Sequence, residues 1–205
     1  MKNNAQDILI EIHTEAVLRA AEKLFEKKGY EATSTDDIAK RTGISKSTMY
    51  EYFKSKQDIW DRLVLKYMEL LLDDVKKAAA SEGSFEDRYY KLCFDVASKF
   101  EEHPVIYKGA LGKTSVVTDN ENNKLQIVFE EINEAFAGLI RNGIEEGVVR
   151  KDIDIYPSVL MMWSSISGII LVAIDIEEYL NSRFNISKKE YLKKAFETLL
   201  DGILK

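Results

Sequence analysis

The sequence has 205 residues, of which 45% are apolar and 31% are charged, as is usual for a globular protein large enough to bury a core. Its two prolines are too few for a loop-rich β fold and favour long helices. The single cysteine, Cys93, excludes an internal disulfide, and no cluster of His and Cys has the spacing of metal ligands. We therefore expect neither a metal nor another cofactor. No apolar signal segment follows Met1, which predicts a cytoplasmic protein.

The charge of the chain is unevenly distributed. Its 29 basic and 35 acidic residues give a net charge of −6, but residues 1–58 hold ten of each sign and are neutral. Five of these cations lie within residues 38–56, where Glu51 is the one anion. Affinity for nucleic acid depends on cations close to phosphates rather than on the total charge. The cluster therefore fits DNA binding, although a small basic cluster can also be a plain solvated surface.

Apolar residues recur at helical spacing along most of the chain. The first such stripe runs from Val17 to Phe25 and ends at Gly29, which permits the left-handed cap of a helix. Residues 1–9 before it are predicted to form a mobile arm. No alternation typical of a strand is present, so the predicted fold class is all-α. The predicted helices span residues 9–28, 35–42, 46–53, 56–80, 85–102, 105–114, 121–146, 156–180 and 188–204.

Several of these helices are preceded by a serine with an acidic residue three positions later. This spacing is the capping box, in which the two side chains satisfy free N–H groups of the first helical turn. Because each match lies beside an apolar periodic run, the four together support the helix boundaries. The pairs are Ser34 with Asp37, Ser55 with Asp58, Ser84 with Asp87, and Ser187 with Glu190.

Residues 159–174 form a nearly unbroken apolar run. A membrane-spanning helix needs about 20 apolar residues, whereas this run is shorter and ends at Asp175, Glu177 and Glu178. A helix that is apolar on all sides is otherwise a buried one. We therefore predict no membrane segment and expect this helix to be buried in a subunit interface.

Residues 34–53 have the pattern of two short helices around a tight turn. Ile38 and Ala39 would face the core, and Gly43 can adopt the positive φ that a sharp turn requires. Ile44 and Met49 would cover the core from the other side of the turn, while Ser45 would cap the second helix. This is the arrangement of a helix-turn-helix; a plain helical hairpin inside a bundle is the alternative.

This packing leaves the start of the second helix free to enter the major groove of DNA. Lysine, serine, threonine and tyrosine side chains there can donate to phosphates or base edges, and the next helix begins with a free N-terminus that attracts phosphate. The candidate DNA-binding residues from this packing are Ser45, Lys46, Ser47, Thr48, Tyr50, Glu51, Tyr52, Lys54 and Lys56.

Residues 12–60 closely resemble the DNA-binding domain of the tetracycline-repressor (TetR) family. The resemblance covers about a quarter of the chain; beyond residue 60 it lies mainly in the helical layout. It implies three DNA-binding helices, a linking fourth helix, and about five helices that dimerise and bind a ligand. It also implies that Thr35 lies at a position that the family often uses on DNA. The matching segments are Ala21-Glu-Lys-Leu-Phe25, Gly29-Tyr30, Thr33 to Ile38-Ala39, Gly43-Ile44-Ser45-Lys46, and Thr48-Met-Tyr-Glu-Tyr-Phe-Lys-Ser-Lys56.

Three positions depart from the pattern that the resemblance implies. Ser47 stands where the family often has glycine, and Met49 replaces a usual leucine or isoleucine, which is conservative. Glu51 places an anion on the groove-facing surface, where it would need a cytosine amino group, Lys54 or Lys46 as its partner. The operator sequence therefore cannot be carried over from the family.

The C-terminal region is predicted to form the dimer and the effector site. We expect the domains to be residues 1–56, with the N-terminal arm and DNA-binding helices, and residues 57–205, with the ligand and dimer helices. A pocket between the helices at 85–114, 121–146 and 156–180 would bind an unknown small molecule, with the break near Pro104 as a hinge. Its candidate lining is Tyr90, Phe94, Phe100, Tyr107, Phe136, Met162 and Trp163. The candidate homodimer interface is Ile166, Ile170, Phe196 and Leu199 on the last two long helices.

These features predict a dimeric transcription regulator that binds a double-stranded DNA operator. Effector binding would shift the population toward a different spacing of the two recognition helices and release the operator. No phosphate loop, nucleophile elbow or paired-histidine motif is present, so we do not expect an enzyme. A helical interaction module without DNA binding remains the alternative, because the N-terminal region is neutral overall.

Overall fold

The computed structural model describes residues 2–113 and 124–205, with side chains from Gln6 to Leu111 and from Lys124 onward. Within these ranges the fold is all-α, as predicted, and its one extended pairing is an isolated antiparallel bridge between Val149 and Leu204. The helices are α1 Lys2–Lys28, α2 Thr35–Thr42, α3 Lys46–Tyr52, α4 Lys56–Ala79, α5 Phe85–Glu102, α6 Pro104–Lys113, α7 Lys124–Glu145, α8 Ile155–Asp175, α9 Glu177–Tyr179 and α10 Lys188–Asp201, with a π-helical turn at Leu180–Phe184.

The chain divides into two compact units. The first contains the described residues up to Tyr67 together with α6 from Val105 onward, and the second contains Met68–Pro104 and the described residues from Lys124 to Lys205. Helix α6 therefore belongs with α1 to α3 and the first half of α4. The domain boundary predicted at 56/57 concerns the end of the DNA-binding helices and stays a prediction.

The N-terminal arm predicted at residues 1–9 is wrong, because α1 begins at Lys2. Neither glycine nor proline occurs between Lys2 and Lys28, so nothing in the backbone ends the helix before Gly29. The predicted left-handed cap is confirmed at Gly29, which has φ 81° and donates its N–H to the Phe25 carbonyl at 2.8 Å.

The predicted capping boxes are confirmed in full at α2, α5 and α10. At α4 only half of the box forms: the Asp58 N–H donates to Ser55 Oγ at 3.1 Å. In a full box the Asp58 carboxylate would accept from the Ser55 N–H. It accepts instead from the N–H of the preceding residue, Lys54, at 2.8 Å. The serine signal therefore marked all four helix starts correctly.

The helix predicted at 156–180 is shorter than expected. Helix α8 ends at Asp175, and a three-residue helix and a π-turn follow. Three carboxylates, Asp175, Glu177 and Glu178, lie at the carbonyl end of α8, where the helix dipole disfavours negative charge. The predicted end of the helix at 105–114 and the predicted start of the helix at 121–146 lie outside the described residues.

The core of the second unit is built from α5, α7, α8 and α10. Phe136 of α7 packs its ring edge-to-face against Trp163 of α8, at 5.8 Å between ring centroids. Phe196 of α10 packs in the same way against Phe94, at 5.5 Å. These contacts leave α8 with one face in the core and the other on the surface of the chain.

Three of the four predicted dimer residues are placed in this intrachain core. Ile166, Ile170 and Phe196 are fully buried within the single chain, and Leu199 is half-buried. The periodicity of a helix that is apolar all round does not distinguish its inner face from its outer one, so the sequence assigned to an interface side chains that the chain itself buries. The outer face instead carries Leu160, Met161 and Val172, with exposed fractions of 54%, 63% and 48%.

By length and composition α8 could cross a membrane. The core helix of a globular protein passes the same test, and 44% of its most apolar window is buried inside this chain. Its inner face makes the contacts described above, whereas its predicted burial in a subunit interface stays a prediction.

Candidate nucleic-acid interface

The start of α2 is fixed to the end of α1 by one carboxylate. Asp37 accepts from the Ser34 N–H and hydroxyl at 2.9 and 2.7 Å, and from Lys28 Nζ at 2.7 Å. The hydrogen bond from Lys28, followed by those from Ser34, lowers the pKa of the Asp37 carboxyl well below its usual range. Thr33, buried beneath this corner, donates its hydroxyl to the Gly29 carbonyl at 2.8 Å.

The turn between α2 and α3 has the predicted geometry. Gly43 has φ 72°, in the left-handed region where a side chain would be strained, and its N–H donates to the Ala39 carbonyl at 3.0 Å. Thr42 Oγ1 donates to the same carbonyl at 2.9 Å and accepts from the Ile44 N–H at 3.2 Å. The turn is therefore held by its own backbone and by one threonine hydroxyl.

Ser45 caps α3 as predicted. Its hydroxyl oxygen accepts from the Thr48 N–H at 3.1 Å and lies 2.8 Å from the hydroxyls of Ser47 and Thr48. This cluster fixes the first turn of α3. Because the N–H groups of that turn and the dipole favour an anion, the start of α3 suits a phosphate.

The underside of α2 and α3 is anchored in the core of the first unit. Ile38, Met49 and Phe53 are buried, and Ala39 is nearly so. Ile44 is half-buried. Because each inward position of the two helices is occupied by an apolar side chain, their remaining side chains point outward, as the helix-turn-helix pattern predicts.

Lys46, Ser47, Tyr50 and Glu51 are exposed on this outer side. Lys46 forms an ion pair with Asp36 of α2, with 2.6 Å between Nζ and Oδ1, and this carboxylate raises the pKa of the lysine. The sequence had suggested Glu51 as a partner for Lys46, whereas in the structure Lys46 forms its ion pair with Asp36. A phosphate would therefore compete with Asp36 for Lys46.

The hydroxyl of Tyr50 lies 3.2 Å from Thr35 Oγ1, which links α3 to the first turn of α2. Both groups keep further donor and acceptor capacity, because the hydroxyl of each can donate one hydrogen bond and accept others. Tyr50 remains 45% exposed. The pair presents two hydroxyls beside the Lys46 ammonium group.

Three other candidate residues lie close by, and two of them are engaged within the chain. The half-buried Tyr52 hydroxyl lies 3.2 Å from His13 Nδ1 of α1. Lys56 donates to the Tyr30 carbonyl at 2.8 Å and lies over the Tyr30 ring, 4.1 Å from its centroid. Lys54 is exposed. Tyr52 and Lys56 thus hold the DNA-binding helices together, whatever else they contact.

The sequence analysis missed Arg62, which fixes the end of α3. Its guanidinium donates to the Tyr52 carbonyl at 2.9 Å and to the Asp58 carboxylate at 3.1 Å, and lies 4.7 Å from the centroid of the Phe53 ring. The i,i+4 spacing of Asp58 and Arg62 was visible in the sequence. The contact with the Tyr52 carbonyl could not be read from it.

The candidate pocket residues are divided between the two units. Tyr107 lies in the first unit and donates its hydroxyl to the Tyr67 carbonyl at 3.1 Å. In the second unit Phe100, Phe136, Met162 and Trp163 are buried, and Tyr90 and Phe94 are half-buried. These are core positions in the present structure. Their contact with an effector stays a prediction.

A capped, outward-facing α3 set across a glycine turn from α2 is a helix-turn-helix, the motif that many DNA-binding proteins place in the major groove. Residues 17–63 match the model of the family "Bacterial regulatory proteins, tetR family". The first unit is therefore similar to the DNA-binding domain of the tetR family of bacterial regulatory proteins.

Two relatives illustrate the similarity of sequence. The chain is 24% identical over 132 residues to the uncharacterized HTH-type transcriptional regulator YhgD of Bacillus subtilis, an alignment that covers 64% of this chain and 67% of that protein. It is 25% identical over 148 residues to the HTH-type transcriptional repressor KstR2 of Mycobacterium tuberculosis, covering 68% and 70%.

The fold is shared with solved family members. The transcriptional regulator FadR of Bacillus subtilis, solved in complex with stearoyl-CoA, superposes with a TM-score of 0.71 at 17% identity and covers 92% of this chain and 98% of its own. The ketosteroid transcriptional regulator KstR2 of Mycobacterium tuberculosis gives 0.63 at 21% identity, covering 94% and 95%. At this identity the likeness establishes the fold.

Proposed function

We propose that this regulator is a homodimeric repressor whose α3 helices read an operator, and that a small molecule with an apolar group releases it. The observation that carries the proposal is the exposed, Ser45-capped start of α3, with Lys46, Ser47 and Tyr50 on its outer side. Lys46 and the free N–H groups of the first turn are suited to phosphate, and the hydroxyls of Ser47 and Tyr50 to base edges or phosphate.

The remaining candidates support this surface in different ways. Thr35 would contact DNA together with Tyr50, to which it is linked, and Thr48 with the Ser45 cap. Lys54 would meet phosphate at the edge of the contact, while Tyr52 and Lys56 would act mainly by holding α3 in position. Glu51 has no ion pair among the described residues and would accept from a cytosine amino group.

The test is binding of the full chain to DNA from upstream of its own gene, measured by fluorescence anisotropy. Lys46→Ala should weaken binding uniformly across sequences, and Tyr50→Phe should weaken it with the helix intact. Lys189→Ala is the matched control, since Lys189 is an exposed lysine of the second unit. If both α3 variants bind as tightly as the wild type does, the residue assignment fails.

The competing function is a helical interaction module that does not bind DNA. The Lys46–Asp36 ion pair and the exposed Glu51 favour it, because both reduce the positive charge of the surface. The two functions differ in their salt dependence: operator binding should fall steeply with added salt as counterions are released. Absence of any DNA binding at about 50 mM salt, where such contacts are strongest, would favour the module.

The exposed face of α8 is the proposed dimer interface. Leu160, Met161 and Val172 form an apolar stripe on it, together with the small residues Ser164 and Gly168. A Cβ built on Gly168 would meet nothing within 4 Å, so another helix can approach closely there. A second copy of the same stripe would cover it, with α10 packed alongside through the half-buried Leu199.

Sedimentation velocity tests this interface. Met161→Glu should give monomers, because two buried carboxylates would meet across the two-fold axis. Leu70→Glu is the control: Leu70 is also an exposed apolar residue, at 45%, on α4. An unchanged dimer in Met161→Glu, or a monomeric wild type, would overturn the assignment.

An apolar effector fits the candidate lining in the second unit. Phe136, Trp163 and Met162 offer aromatic and apolar surface, and Ser167 lies one turn beyond Trp163 on the same face of α8. The buried Ser167 hydroxyl has no hydrogen-bond partner among the residues that the structure describes, so it is available to a polar atom of an otherwise apolar ligand. The stearoyl-CoA complex of FadR makes acyl-CoA the first class to test.

Within the first unit, helix α6 is linked to the DNA-binding helices through α4, and a movement of α6 is the proposed release step. Inside the first unit, Gly109 of α6 lies against Trp60 of α4, and Trp60 packs its ring against Phe25 and Tyr30, at 5.3 Å between centroids in each case. A shift of α6 would therefore move Trp60 and, through it, α1 and the loop that Lys56 holds. Stearoyl-CoA should lower operator affinity in the wild type and do so less in Trp163→Ala.

A further inference from the structure

A groove of about 1000 Å³ runs along α1 on the first unit and is bounded at one side by Arg41 and Thr42 at the end of α2. It is lined by charged residues spaced four apart along the helix, which therefore form a single ridge. From the N-terminus these are Asp7, Glu11, Glu15, Arg19 and Lys23. The first three are acidic and the last two are basic.

Because acidic residues occupy one end of the ridge and basic residues the other, the ridges of two antiparallel copies have complementary charges. In an antiparallel pair of α1 helices with the two-fold axis at Glu15, Asp7 of each copy faces Lys23 of the other, and Glu11 faces Arg19. Four opposite-charge pairs result over about 24 Å of helix, at 1.5 Å per residue. A parallel pair would instead place like charges together.

The charges of the ridge are available for such pairing. Within the part of the chain whose side chains are described, Asp7, Glu11 and Lys23 make no ion pair, and Arg19 is 69% exposed. Glu15, at the centre, accepts from Arg19 and from Lys66 of α4 within its own chain, each at 3.0 Å. Two copies would therefore not bring two uncompensated carboxylates together at the axis.

Apolar and small side chains line the same groove. Ile10 and Ile12 are 39% and 58% exposed, and Ala16 and Ala20 lie near the centre, where their size lets a second helix come close. Exposed apolar residues beside complementary charges are typical of an interaction surface. The first twelve residues are poor in cations, which makes this part of α1 unsuited to phosphate.

We propose that α1 is a second self-association surface, which pairs the first unit with the first unit of another copy in an antiparallel, two-fold arrangement. One helix pair buries less than the ~1,200 Å² of a stable complex, so the contact is weak by itself. It becomes effective where copies are already concentrated, as on neighbouring operator sites. The expected consequence is cooperative DNA binding.

Charge reversal tests this pairing directly in the full chain. Asp7→Lys with Glu11→Lys makes the ridge basic, and Arg19→Glu with Lys23→Glu makes it acidic. Each double variant alone should self-associate at least about tenfold more weakly than the wild type does, since attraction becomes repulsion at four pairs. An equal mixture of the two should recover the association, as should one chain that carries all four changes.

The measurement is sedimentation velocity up to about 300 µM, a range suited to an interface of this size. Lys27→Glu with Lys40→Glu is the matched control for the acidic variant, because both lysines are exposed in the first unit, outside the groove, and the two changes alter the net charge by the same amount as Arg19→Glu with Lys23→Glu. A weak, salt-sensitive association step at high protein concentration would report the α1 contact. The tight dimer, which Met161→Glu tests, would report the α8 contact. The two proposals can therefore fail separately.

Several results would overturn the pairing. One is a wild type without any weak step; another is a mixture that associates no better than its components. A third is an acidic variant that associates like the wild type but binds DNA less tightly, which would assign Arg19 and Lys23 to phosphate contact instead.

Discussion

Replacing Gly109 of α6 by alanine should destabilise the first unit. A Cβ built on Gly109 would lie 2.2 Å from Cζ2 and 3.0 Å from Cη2 of Trp60. Ordinary contact needs about 3.5–4.0 Å, so the indole ring or α6 must move by more than 1 Å. Trp60 is held on its other side by the rings of Phe25 and Tyr30, which limits its movement.

The expected size follows from two opposing effects. Overpacking of a well-filled core costs about 1–3 kcal/mol, whereas alanine in place of glycine inside a helix stabilises by roughly 1 kcal/mol. Because the 2.2 Å approach is severe, the overpacking cost should lie in the upper half of its range, at about 2–3 kcal/mol, which leaves a net loss of about 1–2 kcal/mol, or about 2–8 °C in Tm. Gly138→Ala of α7 is the matched control: its Cβ meets nothing within 4 Å, so only the helix-propensity gain should appear.

The assay is thermal unfolding at fixed protein concentration, followed by tryptophan fluorescence in a Trp163→Phe background that leaves Trp60 as the one reporter. Gly109→Ala should lower the Tm and change the emission of the folded state, while Gly138→Ala should raise the Tm. A Gly109→Ala protein as stable as Gly138→Ala would show that α6 does not press against Trp60, and the proposed route from α6 to α4 would lose its support.

Three further substitutions test individual contacts. Asp36→Asn should strengthen DNA binding several-fold at low salt, because it frees Lys46 from its ion pair and removes an anion from the surface; anisotropy titrations showing weaker binding would contradict this. Asp37→Asn should lower the Tm at pH 7. Folding lowers the pKa of this carboxyl from its ordinary value of about 3.8, so the ionised carboxylate stabilises the folded state above that pH and loses this effect on acidification. The difference in Tm between the wild type and Asp37→Asn should therefore shrink as the pH falls below about 4. Ser167→Ala should raise stability by up to about 1 kcal/mol in denaturant unfolding relative to Ser164→Ala, an exposed control on the same helix, because it removes a buried hydroxyl without a partner; a loss of stability would mean that this hydroxyl is satisfied.

The features that the sequence predicted well depend on neighbours along the chain. The serine caps, the Gly43 turn and the apolar positions of α2 and α3 are all set within four or five residues of one another. The outward direction of Lys46 and Tyr50 then follows from helical geometry. This is why the helix-turn-helix could be placed before its structure was known.

The features that the sequence missed depend on contacts between elements. The ion pair of Lys46 with Asp36 crosses the turn, and the Tyr52–His13 contact joins residues 39 positions apart. The outer face of α8 could not be identified because the helix is apolar on every side, and only packing of Trp163 and Ile166 inward reveals which side stays exposed. The helical start of α1 was missed because no cap or breaker marks it.

The salt dependence of operator binding tests the central claim most directly. The logarithm of the association constant should fall linearly with the logarithm of the salt concentration in the wild type, and Lys46→Ala should reduce the slope by about 1, as expected for the loss of one phosphate contact. Lys189→Ala should leave the slope unchanged. Equal slopes for the wild type and Lys46→Ala, or binding that does not respond to salt, would contradict the placement of α3 against DNA.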